Sequence, residues 1–389
     1  MPDARKDICQ SAADKLEAAR PDLASVRCLI GFDGFVDEII GVVDKWLSPA
    51  KPALVPTISA LAAKIARAAR KSANYELFVK QEKLGGNGPI MANALAAVGM
   101  RVSYIGTLGK EKPHKVFAVL VANAEDVVTI ADAGHTDALE FSDGKLMLGK
   151  LASLKDFTWD NLLARLPIDQ LKAMVARSSL VGMANWTMLP FMSDIWAHLL
   201  ADVLPGMDLA GKRFFVDLAD PEKRTPRDIR AAMRLLGEFQ KQVDLTLGLN
   251  LKEAGEIADV LGIAHRIDGD KPFARIAESL VTLSSDIRRK LKIECVVIHP
   301  RHGAAGATAS ESAAFAGPFV QSPRISTGAG DHFNAGLCTG RVLGMSLAQS
   351  LCVGVATSGL YVRSESGRSP SASDLVKFIR KLPPPQEDR

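Results

Sequence analysis

Ser326-Thr327-Gly328-Ala329-Gly330-Asp331 decides how this chain is read. The stretch is a run of small residues, and His332-Phe333-Asn334 begins a segment with the composition of a helix. A Gly-Ala-Gly turn that opens a helix lets backbone come close to an anion. Its unpaired N–H groups then point outward at the positive end of the helix dipole. A phosphoryl group in transfer carries spread negative charge, which such donors stabilise. Local physics leaves two readings of Asp331 open: a carboxylate that accepts the proton of an attacking hydroxyl, or a helix cap.

Working outward, the chain alternates strands and helices. Val26 to Asp33 reads as a buried strand running into a turn. Residues 57–72 carry a helical period, Tyr75 to Leu84 is extended, and Gly85-Gly86 leads into a helix from Pro89 to Val98. Val102–Gly106 is strand-like again, which completes the β-turn-α-β run of a parallel sheet. Ser142-Asp143-Gly144, between Leu139-Glu140-Phe141 and Lys145-Leu146-Met147-Leu148, predicts a β-hairpin standing apart from the main sheet.

The second half repeats the alternation. Strands are predicted at Ser179–Met183, Arg213–Asp217, Leu245–Leu249 and Glu294–His299, and helices at 226–242, 251–261, 270–291, 333–344 and 346–361. The fold class is therefore α/β, a doubly wound and mostly parallel sheet flanked by helices, with a small β-sheet. In such sheets ligands bind beyond the carboxyl ends of the strands. Asp33, Asp217 and Asn250 all fall there. Residues 1–26 read as an N-terminal helical extension, 27–381 as the main domain and 382–389 as a disordered tail.

Composition narrows the class. A net charge of +4 over 389 residues is too diffuse for a nucleic-acid partner. No apolar run approaches the roughly 18 residues a membrane span needs, and no signal-peptide pattern opens the chain. The five cysteines lack Cys-x-x-Cys spacing and read as reduced thiols of a cytoplasmic protein. A dinucleotide oxidoreductase would show Gly-x-Gly-x-x-Gly after the first strand. Here Gly31-Phe32-Asp33-Gly34 stands instead.

Gly328-Ala329-Gly330-Asp331, with Ala335-Gly336 after it, resembles the second signature of the ribokinase-like (PfkB) carbohydrate kinases. Gly85-Gly86-Asn87-Gly88, followed by Gly99 and Gly109 and about 240 residues ahead of the Asp331 motif, resembles the first. The resemblance covers roughly residues 27–380. It implies transfer of the ATP γ-phosphoryl group to a hydroxyl of a sugar or sugar-like molecule. Asp331 would be the base, with the amides of Gly328, Ala329 and Gly330 as an anion hole. It also implies a small β-sheet lid formed by segments near 34–40, 75–84 and 138–151, through which relatives often form homodimers.

The same resemblance assigns Asp37, and second to it Asp33, to sugar hydroxyls, with Gly85, Gly86 and Asn87 beside the substrate. Asn250-Leu251-Lys252-Glu253 matches an Asn-x-x-Glu motif that orders Mg2+ through its waters near the nucleotide. Read locally, it is equally a capping box. Gly303, with Arg301 and His302, would border the nucleotide. The chain departs from the family pattern at Ile90, Ile325 and the 299–303 loop, so neither the acceptor nor a monovalent-cation requirement can be assigned. A nucleoside kinase of the same fold, a catalytically silent sugar sensor and an ADP donor stay open.

Overall fold

The structure, a computed structural model, describes residues 2–385; residues 386–389 of the expected tail lie outside the described residues. Its strands are β1 Arg27–Phe32, β2 Phe35–Ser48, β3 Lys51–Leu54, β4 Leu77–Gly85, β5 Arg101–Gly106, β6 Asp126–Thr129 and β7 Gly134–Phe141. They continue as β8 Gly144–Lys150, β9 Leu180–Met183, β10 Arg213–Asp217, β11 Asp244–Leu249, β12 Cys295–Ile298, β13 Gly303–Ala307 and β14 Ser312–Ala316.

Nine strands form the main sheet in the order β14-β13-β12-β11-β10-β9-β1-β5-β6. It is parallel from β12 to β6, and only β13 and β14 run antiparallel at one edge. Successive β1 residues serve opposite layers. Leu29 packs into one apolar core, while Cys28 and Ile30 pack into the other. This two-sided burial is why the parallel strands read as continuous apolar runs. Phe214 and Leu245, almost fully buried beneath the helices, each contribute roughly 1.5–3 kcal/mol through burial.

The small sheet has five strands: β3-β2-β7-β8, with β4 also on β2. The three segments near 34–40, 75–84 and 138–151 all enter it, and the Ser142-Asp143 turn joins β7 to β8. It has its own core of Ile40, Val42, Val55, Leu61, Leu139 and Phe141.

Several boundaries differ from the sequence reading. The helix expected over 57–72 is Ile58–Arg67, started by the Thr57 side chain, which accepts from the Ala60 N–H at 3.0 Å. The helix after the Asp331 motif starts at Ala329 rather than Phe333. β6, β13 and β14 were not expected. The N-terminal helix Pro2–Ala19 buries Cys9, Ala12, Ala13 and Leu16 in the second core. Lys15 donates from it to Gln349 at 2.9 Å. Past Lys381, the Pro383 carbonyl accepts from Arg5 (2.8 Å) and the Pro384 carbonyl from the Phe319 N–H (3.0 Å), so these residues are held to the body rather than loose.

Candidate active site

The site lies along the carboxyl ends of β1, β9, β10, β11 and β12, where Asp33, Asn185, Asp217, Asn250 and His299 follow or end their strands. The helix Ala329–Val342 points its start at this rim, with Gly328 as N-cap at φ 87°. That left-handed conformation favours glycine. Ile90 and the Tyr361 hydroxyl press on the turn: a Cβ on Gly328 would stand 3.2 and 3.3 Å from them. Tyr361 also donates to the Thr327 carbonyl at 3.0 Å.

Asp331 occupies the third position of this helix and is 7% exposed. Its Oδ1 accepts from Asn87 Nδ2 at 2.9 Å. Burial raises its pKa well above the usual carboxylate range. The charges of Asp217, Asp33 and Glu253 add to this, and the Asn87 hydrogen bond opposes it. The amides of Gly328, Gly330 and Asp331 donate to nothing among the described residues. The Ala329 amide differs, because it closes the turn onto the Ser326 carbonyl at 3.2 Å and so leaves the expected outward-facing set.

The Gly85-Gly86-Asn87 turn joins β4 directly to the helix Asn87–Val98. Gly86, the N-cap, has φ 99°. Asp33 satisfies the helix start: its Oδ2 accepts from the Asn87 N–H (3.0 Å) and its Oδ1 from the Gly88 N–H (2.8 Å). Asn185 Nδ2 donates to the same carboxylate at 2.7 Å. Asp33 is fully buried, and burial lifts its pKa to about 6 against these donors. Both Asp33 oxygens are thus engaged in holding the turn, whereas Asp37 lies four residues on, in β2. Asp37 stands across from Lys83 on β4 and Thr136 on β7. Gly85 makes room for it, since a Cβ there would fall 2.4 Å from Asp37 Oδ2. Burial raises the Asp37 pKa, while the Thr136 hydroxyl and the Lys83 charge oppose this.

Asn250 and Glu253 form the expected capping box at the start of the helix Leu251–Leu261. Glu253 Oε2 accepts from the Asn250 N–H (2.8 Å) and Oε1 from the Asp220 N–H (3.0 Å). Burial first, then the Asp217 charge, lifts Glu253 to about 8. Asp217 lies between these groups and accepts from Asn334 Nδ2 at 2.7 Å, and burial lifts it to about 6. No Lys or Arg forms an ion pair with Asp217, Glu253 or Asp331 among the described residues. Three crowded carboxylates without a counter-cation are a donor set suited to a hard divalent ion.

Gly303 lies buried at the start of β13 against the Phe273 ring, which a Cβ would approach to 2.6 Å, so packing already demands glycine there. Arg224 donates to the Trp186, Thr187, Leu189 and Pro190 carbonyls, and its guanidinium lies 4.9 Å from the Trp186 ring centroid. It is a loop clamp, and Trp186 is core. Ile325 stands beside Gly367, whose added Cβ would be 3.5 Å from it.

The fold also brings Asn334, His332 and His299, which the sequence reading does not single out, to this rim, beside Asn185, which follows the strand at 179–183. His332 links the Gly328 carbonyl (2.7 Å) to the Ser369 hydroxyl (2.8 Å) and stacks on Tyr361 at 3.5 Å. His299 lies over Phe333, 4.6 Å between centroids, and its Nε2 has no hydrogen-bond partner among the described residues. Burial lowers both histidines to about 4, so both are neutral near pH 7.

Comparison with known proteins bears on this geometry. The model of the prokaryotic ketohexokinase family matches residues 5–382. A ketohexokinase of Haloferax volcanii is 28% identical over 373 residues, covering 94% of each chain. A carbohydrate kinase of Agrobacterium tumefaciens has a similar fold at 18% identity and TM-score 0.61, over 92% of this chain and 98% of its own. Ribokinase of Arabidopsis thaliana, solved with ribose and ATP, aligns at 16% identity and TM-score 0.61, over 91% and 98%. Phosphofructokinase-2 of Escherichia coli aligns at 14% and TM-score 0.62, over 92% and 98%.

Proposed function

The chain belongs to the prokaryotic ketohexokinase family and is an ATP-dependent carbohydrate kinase, and on that premise we propose that it phosphorylates a hydroxyl of a ketohexose with Asp331 as general base. The observation that carries this reading is the buried Asp331 carboxylate, held by Asn87 at the start of a helix with free amides. With Oδ1 engaged by Asn87, Oδ2 is left to take the acceptor proton. A raised pKa makes the carboxylate a stronger base once ionised. The Gly328, Gly330 and Asp331 amides would meet the equatorial oxygens of the transferring group. Asp37, with room made by Gly85, would accept from two sugar hydroxyls, and the Lys83 charge beside it opposes the rise that burial imposes on its pKa.

Asp217, Glu253 and Asn250 would hold Mg2+, mostly through its waters, because both Glu253 oxygens already accept backbone amides. When bound, the ion neutralises phosphate charge and draws the nucleotide to the rim. The small sheet would close over the acceptor and keep water from the γ-phosphate. A second copy would cover its apolar side chains, since Trp46, Leu47, Phe78, Val79, Met147 and Leu148 are all exposed on it. No helix among the described residues is long and apolar enough to cross a membrane.

The test is ADP release, coupled to a reporter, across ketohexoses, aldohexoses, pentoses and nucleosides. A ketohexose should give the highest kcat/KM. Higher kcat/KM with a pentose or nucleoside would overturn the ketohexose assignment while leaving the kinase in place.

A further inference from the structure

A cavity, about 670 Å³ in volume, opens between the end of the Leu347–Tyr361 helix, the 364–370 loop and the helix Ala372–Arg380. It lies apart from Asp37, Asp217 and Glu253, and none of them lines it. Arg363, Arg368, Lys377 and Lys381 line it, together with the hydroxyls of Ser364, Ser366 and Ser369. Asp374 is the only acid in the lining. It serves as the capping-box partner of Ser371 while staying partly exposed, and Arg368 approaches it to 4.0 Å. Glu365, outside the lining, faces Arg324 at 3.5 Å.

The cations are not consumed by the fold. Lys377 and Lys381 form no ion pair among the described residues. Arg363 is fixed by the Phe319 carbonyl at 2.7 Å, by the Gly359 carbonyl and by stacking 5.3 Å above Phe378. Its guanidinium has five N–H donors, so some stay available. Four cations against one engaged acid, around a hollow with three hydroxyls, form an environment that attracts a multivalent anion. A volume in this range holds a small organic molecule.

We propose that this cavity binds a phosphate monoester or inorganic phosphate, and that occupancy acts on the nucleotide-side turn through Ser369. The path is short. Ser369 lines the cavity and bonds His332 Nε2 at 2.8 Å, and His332 Nδ1 bonds the Gly328 carbonyl at 2.7 Å. His332 is neutral, so one ring nitrogen donates while the other accepts. An anion that recruits the Ser369 hydroxyl changes what Nε2 receives, and through the ring what the Gly328 carbonyl receives. The turn that would hold the transferring phosphoryl group is then set by the second site.

The experiment is calorimetric titration of the full-length protein with inorganic phosphate and, separately, with glycerol 3-phosphate, each at low chloride. A variant carrying Lys377→Met and Lys381→Met is titrated alongside. Saturable binding to the native protein, weakened about tenfold or more in the variant with kcat unchanged, is the expected result. The tighter of the two probes identifies monoester or free phosphate as the ligand. Binding that the double variant leaves intact would mean that the anion sits in the kinase site, and no binding of either probe would also overturn the site. The coupling is read from the KM for ATP with and without the tighter probe: it should shift several-fold in the native protein and not in Ser369→Ala. An unchanged KM in the native protein would overturn the coupling.

Discussion

Asn87 and Asp331, 244 residues apart in sequence, meet at 2.9 Å, amide donor to carboxylate acceptor. The backbone N–H of the same Asn87 is held by Asp33. One residue therefore fixes both the start of its own helix and the direction of the carboxylate opposite. Asn87→Ala should lower kcat about 10–100-fold, because a carboxylate that swings by an ångström loses its alignment. The Asn87 bond also lowers the Asp331 pKa. The rising limb of the kcat–pH profile should therefore move to higher pH in the variant, a shift that mere loss of packing would not produce.

Asp331→Asn keeps the shape and would remove the proposed base. Phosphoryl transfer should fall about 10²–10⁴-fold, with the KM for ATP little changed and the rising pH limb gone. A folded variant with full turnover would exclude Asp331 as the base.

The crowded carboxylates predict an unusual stability profile. Glu253 titrates near 8 in the folded chain against a reference of 4.5, so between those values the native state binds more protons than the unfolded one. Stability of the ligand-free protein should fall as pH rises through that window. Glu253→Gln should flatten the fall. Added Mg2+ should raise the melting temperature more at pH 8 than at pH 6, measured by calorimetry.

Gly85→Ala places a methyl on the Asp37 carboxylate. The expected effect is a KM for the sugar raised about tenfold or more, with the KM for ATP near native. Equal changes in both constants would count against Asp37 as a sugar contact.

The exposed apolar side chains of the small sheet predict their own readout. Phe78→Lys, in the strand β4 at the edge of that sheet, should convert a dimer to a monomer in light scattering. A native protein that is monomeric at micromolar concentration would remove the second copy from the picture.

What the sequence disclosed tracked the range of the interactions involved. The glycine turns at 85 and 328 were legible because a positive φ leaves few residues to choose from. The Asn250–Glu253 box was legible because both partners lie within one helical turn. β13, Gly303–Ala307, was not: Gly-Ala-Ala-Gly-Ala lacks the branched side chains that mark a strand, and small residues are needed there to admit Val297 and Phe273. Asn334 on Asp217 and Asn185 on Asp33 were equally hidden, since sheet topology alone brings those pairs together.

β4 passes into the helix Asn87–Val98 without a linker, only Gly86 standing between them. The sheet that would cover the sugar and the amide that aims the base are thus two ends of one lever. In the proposed mechanism, movement of the cover would reposition the proton acceptor in the same stroke. An enzyme built this way would check that its cup is full before it arms itself, and idle consumption of nucleotide would be suppressed by mechanics as well as by dryness.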